Sequence, residues 1–505
     1  MTETPREIEL KFQVPEGRVA ETLAAVEALA GVPAKQQVST YFDTPKGALR
    51  RAGMALRVRR AGDDYTQTLK DAGDGALARG EWEARVPGQA PDPAILRGTP
   101  AGRLLAKDGR LQPAYVVDVS RRKAVVVEGE STIELAFDEG VAKARGQEAA
   151  FAELELELKA GPQWGLFALA RRLAASANLT LSFTTKAERG HALARPPRSW
   201  ARKFAAPKLS PGMTSGEAFQ AVARACLVQI TSNAERLRRR ASPEVIHQMR
   251  VGLRRLRSLT TSFKDVVADA RLPAIKAELK WITGELDAAR NLDVLLHGDY
   301  RVAVAQKDDA EGLKGLGLRL RGARRMAYVR AVAAAEGDRF RRLLLDLLIW
   351  IEAGPWTAAE ALAKPRRRAV CKLADAELGK RRRKIVRAGA RLRQLDPHAR
   401  HKLRIEAKKL RYAADVFAGL YARPKRARAF VDALKAVQDT LGELNDIVVG
   451  ERLAHEAAAA PGRAETDSAF VAGRITGAQK ARVAPLVDRA EAALKGFASA
   501  KAFWK

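Results

Sequence analysis

The first two hundred residues are organised by alternation. In Glu7-Ile-Glu-Leu-Lys-Phe12, polar and apolar positions change places one by one. Residues two apart in an extended chain share a face, so Glu7, Glu9 and Lys11 stand on one side of a strand and Ile8, Leu10 and Phe12 on the other. Similar alternation, or enrichment in β-branched residues, marks 55–60, 65–70, 79–86, 115–119, 122–128, 131–138 and 151–159 as well as 6–13. Each of these predicts a strand. Helix-like stretches lie at 17–30 and 164–177. Many antiparallel strands in one α+β domain predict a barrel or a strongly curved sheet.

The pattern changes after a stretch containing Pro196, Pro197, Pro207 and Pro211. The first domain is expected to end near residue 200, with 201–212 as a Pro-rich linker. Residues 213–505 are rich in Ala, Leu and Arg, have 3.6-type periodicity and almost no strand-like alternation, which predicts an all-helical domain. This domain repeats itself. His247-Gln-Met-Arg-Val-Gly-Leu-Arg-Arg-Leu-Arg257 returns as His401-Lys-Leu-Arg-Ile-Glu-Ala-Lys-Lys-Leu-Arg411. A second echo follows each copy, Glu285-Leu-Asp-Ala-Ala-Arg-Asn-Leu-Asp293 and Leu441-Gly-Glu-Leu-Asn-Asp446. The spacing is too long for a solenoid and implies two like half-domains, about 213–360 and 361–505, related by duplication.

Charge sharpens this picture. The chain of 505 residues carries a formal net charge of +31. Residues 1–205 hold 31 Lys+Arg and 26 Asp+Glu; subtracting these from the totals of 90 and 59 leaves 59 and 33 for the remainder, a net of +26. Such an excess implies a polyanionic partner: nucleic acid, an anionic membrane surface or a phosphate polymer. Few aromatics accompany the basic runs, which argues against single-stranded nucleic acid. No apolar run approaches a membrane span, and the N-terminus is too acidic and polar for a signal peptide. Cys226 and Cys371 are too few and too isolated for a disulfide framework, so a cytoplasmic location is expected.

The candidate chemistry lies on the strand faces. Arg57 and Arg59 share a face; Lys70 ends a strand; Arg122 follows Arg121; Asp138 ends another strand; Glu153, Glu155 and Glu157 alternate with leucines; Lys186 sits in Thr184-Thr-Lys-Ala-Glu-Arg189. Were these faces to line a barrel, its lumen would carry both signs of charge. Carboxylates hold hard cations such as Mg²⁺ or Mn²⁺, and lysines and arginines hold phosphoryl oxygens. Mixed charge therefore suits a metal–triphosphate complex; the alternative is an open sheet with a solvated charged face. In the helical domain, Arg250, Arg254 and Arg257, and again Arg404, Lys408 and Arg411, form stripes of like charge at helical spacing. Such a stripe costs a few tenths of a kcal/mol per pair, and its repetition is better explained by a bound polyanion than by a solvated helix face. His247 and His401 would add switchable charge near pH 7.

Glu7-Ile-Glu-Leu-Lys11 resembles the ExExK signature of the CYTH superfamily, the triphosphate tunnel metalloenzymes. Tyr41-Phe-Asp-Thr-Pro45, Leu56-Arg-Val-Arg59, Thr68-Leu-Lys70, the Arg122 strand, Asp138, the Glu-Leu-Glu-Leu-Glu run and Lys186 follow in that family's order. The resemblance covers about residues 1–200. It implies an eight-stranded antiparallel tunnel that hydrolyses a triphosphate with Mg²⁺ or Mn²⁺. By residue it implies metal ligation by Glu7, Glu9, Asp138, Glu153 and Glu155, with Glu157 replacing or supplementing Glu153. It implies triphosphate binding by Lys11, Arg57, Arg59, Lys70, Arg122 and Lys186, with Glu7, Glu9 and Lys11 central to catalysis. Arg122 is preferred to Arg121 for its distance to the following apolar strand; adjacent strand residues face opposite ways, so only one points inward.

Residues 213–505 resemble the CHAD domain, the conserved histidine α-helical domain. This implies two facing four-helix bundles with a groove for inorganic polyphosphate, lined by His247, Arg250, Arg254, Arg255 and Arg257 and by His401, Arg404, Lys408, Lys409 and Arg411. The leading expectation is a cytoplasmic inorganic triphosphatase, associated with polyphosphate granules, with inorganic triphosphate and polyphosphate as partners and neither a membrane nor nucleic acid among them. The rivals are a class IV adenylate cyclase, a nucleoside or thiamine triphosphatase, and a non-catalytic polyphosphate scaffold.

Overall fold

The computed structural model describes residues 6–29, 33–71, 78–194, 201–305, 310–459 and 465–505. Two compact units emerge. The first holds the chain up to Trp200 together with Asp338–Ala353; the second holds Ala201–Gly337 and Gly354–Lys505.

In the first unit nine antiparallel strands form one sheet: β1 (Arg6–Gln13), β2 (Lys35–Asp43), β3 (Ala55–Ala61), β4 (Asp64–Lys70), β5 (Ala78–Val86), β6 (Gln112–Glu128), β7 (Ser131–Ala144), β8 (Gln147–Ala160) and β9 (Thr180–Leu181). Their order is β5-β4-β3-β2-β6-β7-β8-β1-β9, and a further β5–β1 pairing closes the first eight into a barrel. The ninth is a two-residue strand that takes the part of the β1 edge left over by β5. Three readings change. The strand count is nine rather than eight. β2 was not foreseen, because Lys35-Gln-Gln-Val-Ser-Thr40 opens it with a single apolar residue, Val38. The runs 115–119 and 122–128 are one strand, continuous through Arg121-Arg122-Lys123.

Register decides what meets what. Glu9, Lys11 and Gln13 lie opposite Glu157, Glu155 and Glu153. Asp138 lies opposite Glu153 on one side and Arg121 on the other. The alternate residues point outward. Leu10, Phe12, Ile133, Leu135, Phe137, Leu154 and Leu156 are almost fully buried, and the helix Gln163–Ala177 packs over β7 and β8 with Leu166, Phe167, Leu169, Ala170 and Leu173. Each such side chain contributes about 1.5–3 kcal/mol on full burial. Strands β3–β5 bury Leu56, Val58, Leu69 and Val86 beneath Leu49, Leu96 and Ala101.

The helix Asp338–Ala353 joins this unit although its sequence position lies within the first of the two expected helical repeats. It packs against Gln163–Ala177 and β9. Asp346 accepts from Arg171 at 2.6 Å, and Arg341 donates to Asn178 at 3.2 Å.

The second unit is helical, as its periodicity predicts. Each half has four long helices: Ser215–Arg239, Pro243–Ser262, Leu272–His297 and Ala310–Glu336, then Val370–Gly389, Pro397–Phe417, Pro424–Ala458 and Val483–Ser499, with Glu465–Ala481 in addition. The duplication is visible in the caps. Ser242 accepts from the Val245 amide before Pro243, and Asp396 accepts from the Ala399 amide before Pro397; both prolines occupy the first turn, where no amide hydrogen is needed. The halves are joined at their starts by a bridge between Thr214 and Ala369. No helix among the described residues is long and apolar enough to cross a membrane.

Candidate functional site

Three carboxylates converge inside the barrel. Asp138, Glu153 and Glu155 each bring an oxygen within 4.8 Å of the other two. Asp138 and Glu153 have no exposed side-chain surface, and Glu155 has little. Cations surround them. Lys11 donates to Glu155 at 2.5 Å and to Glu153 at 3.3 Å, with Glu9 3.6 Å away. Lys186 contacts Asp138 at 2.7 Å and Glu155 at 2.8 Å, and also bonds Glu153. Arg121 binds Asp138 through two nitrogens, at 2.6 and 2.5 Å, and reaches Glu155 at 2.6 Å.

The electrostatics follow. Burial opposes the charge on Lys11, but Glu153, Glu155 and Glu9 outweigh it and hold its pKa above the ordinary lysine value. Lys186 is raised in the same way, against burial, by Asp138, Glu153 and Glu155. Burial would raise Asp138 and Glu155; Lys186 and Arg121 hold Asp138 below its ordinary range, and Lys11, Lys186 and Arg121 do so for Glu155. Lys11, Lys186, Asp138 and Glu155 therefore stay charged at neutral pH.

One end of the same lumen is apolar. Alternation along β2, β6, β7 and β8 brings Tyr41, Tyr115, Val117, Val119, Ala142, Ala144 and Phe151 together with Ala194. The helix Lys186–Ala194 packs against β6, β7 and β8 here. Its Gly190 sits so close to Tyr115 that a Cβ would lie 2.0 Å from the ring.

Further residues lie along β3, β4 and β5. Lys70 meets Glu81 at 3.0 Å, and Arg59 meets Glu83 at 3.4 Å. Burial, then the neighbouring Arg57, push Arg59 down to about 10. The buried Nε of Arg57 has no hydrogen-bond partner. Glu157 pairs with Lys159 at 2.5 Å. The side chain of Glu7 lies outside the described residues; its backbone pairs with Arg79.

Arg122 does not join the cluster. It bonds Glu139 at 3.2 Å and lies 3.9 Å from Glu27, so the inward arginine is Arg121. β6 runs straight through this point, and its register opposite Asp138 fixes the parity; the break expected before residue 122 does not exist. Arg189 was missed. It is buried over Phe151, 3.7 Å from Glu153, with Nε and one terminal nitrogen unbonded. Its signal was the three-residue spacing from Lys186 on a helix.

In the helical unit, the two stripes lie on Pro243–Ser262 and Pro397–Phe417. Arg250 reaches Asp287 at 2.6 Å, and Arg404 lies 3.7 Å from Asp446. The stripes are electrostatically coupled: Lys408 is pushed down to about 7 by burial and then by Arg404 and Arg254, with Arg250 also contributing. Four guanidinium nitrogens, the Nε atoms of Arg250, Arg254, Arg404 and Arg411, are buried without hydrogen-bond partners. Arg257 is half-buried on the first stripe.

Two predicted groove residues point elsewhere. Arg255 bonds Asp415 at 3.2 Å and stacks on Phe204 and Tyr412, at 3.9 and 4.7 Å. Lys409 bonds Glu406 at 3.0 Å. Each is one position, about 100° of helix rotation, beyond its stripe. His247 also differs from expectation. Burial, then Arg290 and Arg254, push His247 down to about 4, so it is neutral near pH 7. His401 bonds Asn445 through Nδ1.

Comparison with known proteins matches the CYTH domain model to residues 5–191 and the CHAD domain model to residues 221–455. The crystal structure of the CHAD domain from the plant Ricinus communis is 31% identical and covers 59% of this chain and 97% of that one, with a TM-score of 0.52. This chain is a CYTH domain fused to a CHAD domain. An inorganic triphosphatase of Haemophilus influenzae is 33% identical over 159 residues, 31% of this chain and 45% of that protein; the chain thus spans less than half of that relative. An uncharacterized protein of Mycobacterium tuberculosis is 28% identical over 501 residues, 90% of this chain and 89% of that one.

The CYTH residues fit a divalent cation. Asp138, Glu153 and Glu155 offer oxygens at ligand spacing, carboxylates are hard donors, and the buried Oε2 of Glu153 has no hydrogen-bond partner. Lys11, Lys186 and Arg121 already balance three carboxylates with three cations. A metal ion would leave this set positive, which favours a phosphate polyanion.

Proposed function

We propose that the CYTH barrel hydrolyses inorganic triphosphate to pyrophosphate and phosphate, and that the CHAD groove binds inorganic polyphosphate. The carrying observation is the charge-balanced set of Asp138, Glu153 and Glu155 with Lys11, Lys186 and Arg121 inside a closed barrel. It supports a site that accepts a cation and a polyanion together. The likeness to the Haemophilus influenzae inorganic triphosphatase adds to this reading.

Asp138, Glu153 and Glu155 would hold Mg²⁺ or Mn²⁺, with Glu9 and Glu7 on the adjoining strand as further carboxylates. When bound, the metal supplies charge neutralisation and a polarised phosphoryl oxygen. The chain's own cations do the rest. Lys11, Lys186 and Arg121 exchange carboxylate contacts for phosphoryl oxygens, and Arg57, Arg59 and Lys70 extend the cradle. No nucleophilic side chain is required: positioning and electrostatic stabilisation carry phosphoryl transfer to water. In the CHAD groove, the four unbonded guanidinium nitrogens support a phosphate-polymer ligand. We place the enzyme in the cytoplasm, in accord with its two unbridged cysteines.

The test is phosphate release with Mg²⁺ or Mn²⁺ from tripolyphosphate, ATP, thiamine triphosphate and long-chain polyphosphate in parallel. Preference for tripolyphosphate is expected. Calorimetry should show weak metal binding alone and much tighter binding once tripolyphosphate is present. If Glu155→Gln hydrolyses tripolyphosphate as fast as the parent, the mechanism is wrong; cyclic AMP formed from ATP would replace it with a cyclase.

A further inference from the structure

A second basic face lies outside the CHAD groove. On Val370–Gly389, Lys380, Arg383, Lys384 and Arg387 are all exposed and occupy positions i, i+3, i+4 and i+7, one stripe of a helix. Each neighbouring pair on it is a like-charge pair and destabilises the helix. Lys402 is exposed on the adjoining helix, Pro397–Phe417.

Acidic partners are scarce here. Glu406 is shared among three cations, Lys384 at 3.3 Å, Arg381 at 3.2 Å and Lys409 at 3.0 Å, and Glu377 is taken up by Arg381. Among the described residues Lys380, Arg383, Arg387 and Lys402 have no ion-pair partner. A solvated face would ordinarily mix both signs.

The duplication supplies an internal control. Pro243 and Pro397, like His247 and His401, are 154 residues apart. The helices that carry the stripe and its counterpart begin at Val370 and Ser215, 155 apart, so the counterparts of Lys380, Arg383, Lys384 and Arg387 are Ala225, Val228, Gln229 and Ser232, all uncharged. The bundle therefore does not need charge at these positions.

Three features point to a phosphate chain as the ligand. The stripe carries no aromatic side chain on which bases would stack. The one large apolar side chain exposed on the two helices is Ile405, too little for a membrane surface. And Pro397–Phe417 carries both sites: Arg404 and Lys408 line the groove, while Lys402, Glu406 and Lys409 turn toward the ridge. A polymer leaving the groove has about one helix width, roughly 10 Å, to cross.

We propose that Lys380, Arg383, Lys384, Arg387 and Lys402 form a second polyphosphate-binding ridge that engages chains too long for the groove alone. This rests on the groove reading given above. Its effect is avidity: a chain held in the groove meets the ridge at high local concentration.

The test uses the full-length protein in EDTA, so that no chain is hydrolysed, with short-chain and long-chain polyphosphate as probes. The variant is Lys380→Ala/Arg383→Ala/Arg387→Ala/Lys402→Ala, checked by circular dichroism. Long-chain affinity is expected to fall about tenfold or more while short-chain affinity stays unchanged. The slope of log K against log salt for the long chain should shrink by about 0.7 for each lost phosphate contact. Unchanged long-chain affinity, or equal loss for both lengths, overturns the ridge. So does loss of duplex DNA or anionic-vesicle binding with long-chain polyphosphate binding intact. A groove variant, Arg254→Ala/Lys408→Ala, should weaken both lengths; if it weakens neither, the groove reading fails, while the ridge is still judged by its own variant.

Discussion

Removing the guanidinium of Arg121 would take away both bonds to Asp138 and the one to Glu155. Removing that of Arg122 would break one bond to Glu139 near the surface. Arg121→Ala is therefore expected to lower kcat by about 100-fold or more, the scale of a lost preorganised donor. Arg122→Ala should stay within about threefold, as for an exposed ion pair. Tripolyphosphate hydrolysis measures both. A second residue-scale expectation concerns pH. Lys408 has a folded pKa of about 7, below its ordinary 10.5, so the folded state binds fewer protons than the unfolded one between those values. Stability of the free protein should rise with pH across that window. A bound polyanion returns the proton, so polyphosphate affinity should fall above pH 7, by up to about tenfold per pH unit. Lys408→Met should flatten that profile. His247 is already neutral there and should contribute nothing to it.

At the scale of elements, the short helix Lys186–Ala194 ties the chemistry to the packing. Lys186 reaches three carboxylates from its first turn, and Gly190, one turn later, lies against Tyr115. Gly190→Ala must push the helix from the barrel or turn the tyrosine. A cost of about 1–3 kcal/mol is expected for the overpacking, read from the denaturant midpoint, together with a loss of hydrolysis because Lys186 moves with its helix. The alternation of Glu-Leu-Glu-Leu-Glu and Glu-Ile-Glu-Leu-Lys made β1 and β8, and their charged faces, legible from sequence. β2 was not legible, since Lys35, Gln36 and Gln37 carry no apolar face. Parity failed at Arg121 and Arg122 because it depends on where a strand begins, and β6 begins ten residues earlier than its basic run suggests. On the helical side, the stripes were legible from spacing. Arg255 and Lys409 were misplaced with them because adjacency in sequence is 100° of rotation in a helix.

For the whole molecule, periodicity marked 213–505 as helical but carried no sign that 338–353 joins the first unit. An apolar stripe has no address; only the partner surface supplies one. Leu344, Leu347, Leu348 and Ile351 are buried, and the helix completes the first unit by covering Gln163–Ala177 and β9. A chain of residues 1–205 is therefore expected to melt at least about 5 °C below the same chain carrying 338–353 on a flexible linker. Equal melting temperatures would show that the helix adds nothing to the unit. β9 pairs with β1 beside Lys11, and the Ser182 amide donates to the Lys11 carbonyl at 2.8 Å, so the truncated chain should also lose hydrolytic activity.

The same helix makes the CYTH unit discontinuous in time as well as in sequence. The barrel strands leave the ribosome first, but their last layer follows only after the 153 residues from Trp200 to Ala353. At about 5–20 residues per second that is roughly 8–30 s. During this interval the outer face of Gln163–Ala177 is bare. Translation speed through the first CHAD repeat thus sets how long a nascent barrel is open to chaperones and to neighbouring nascent chains.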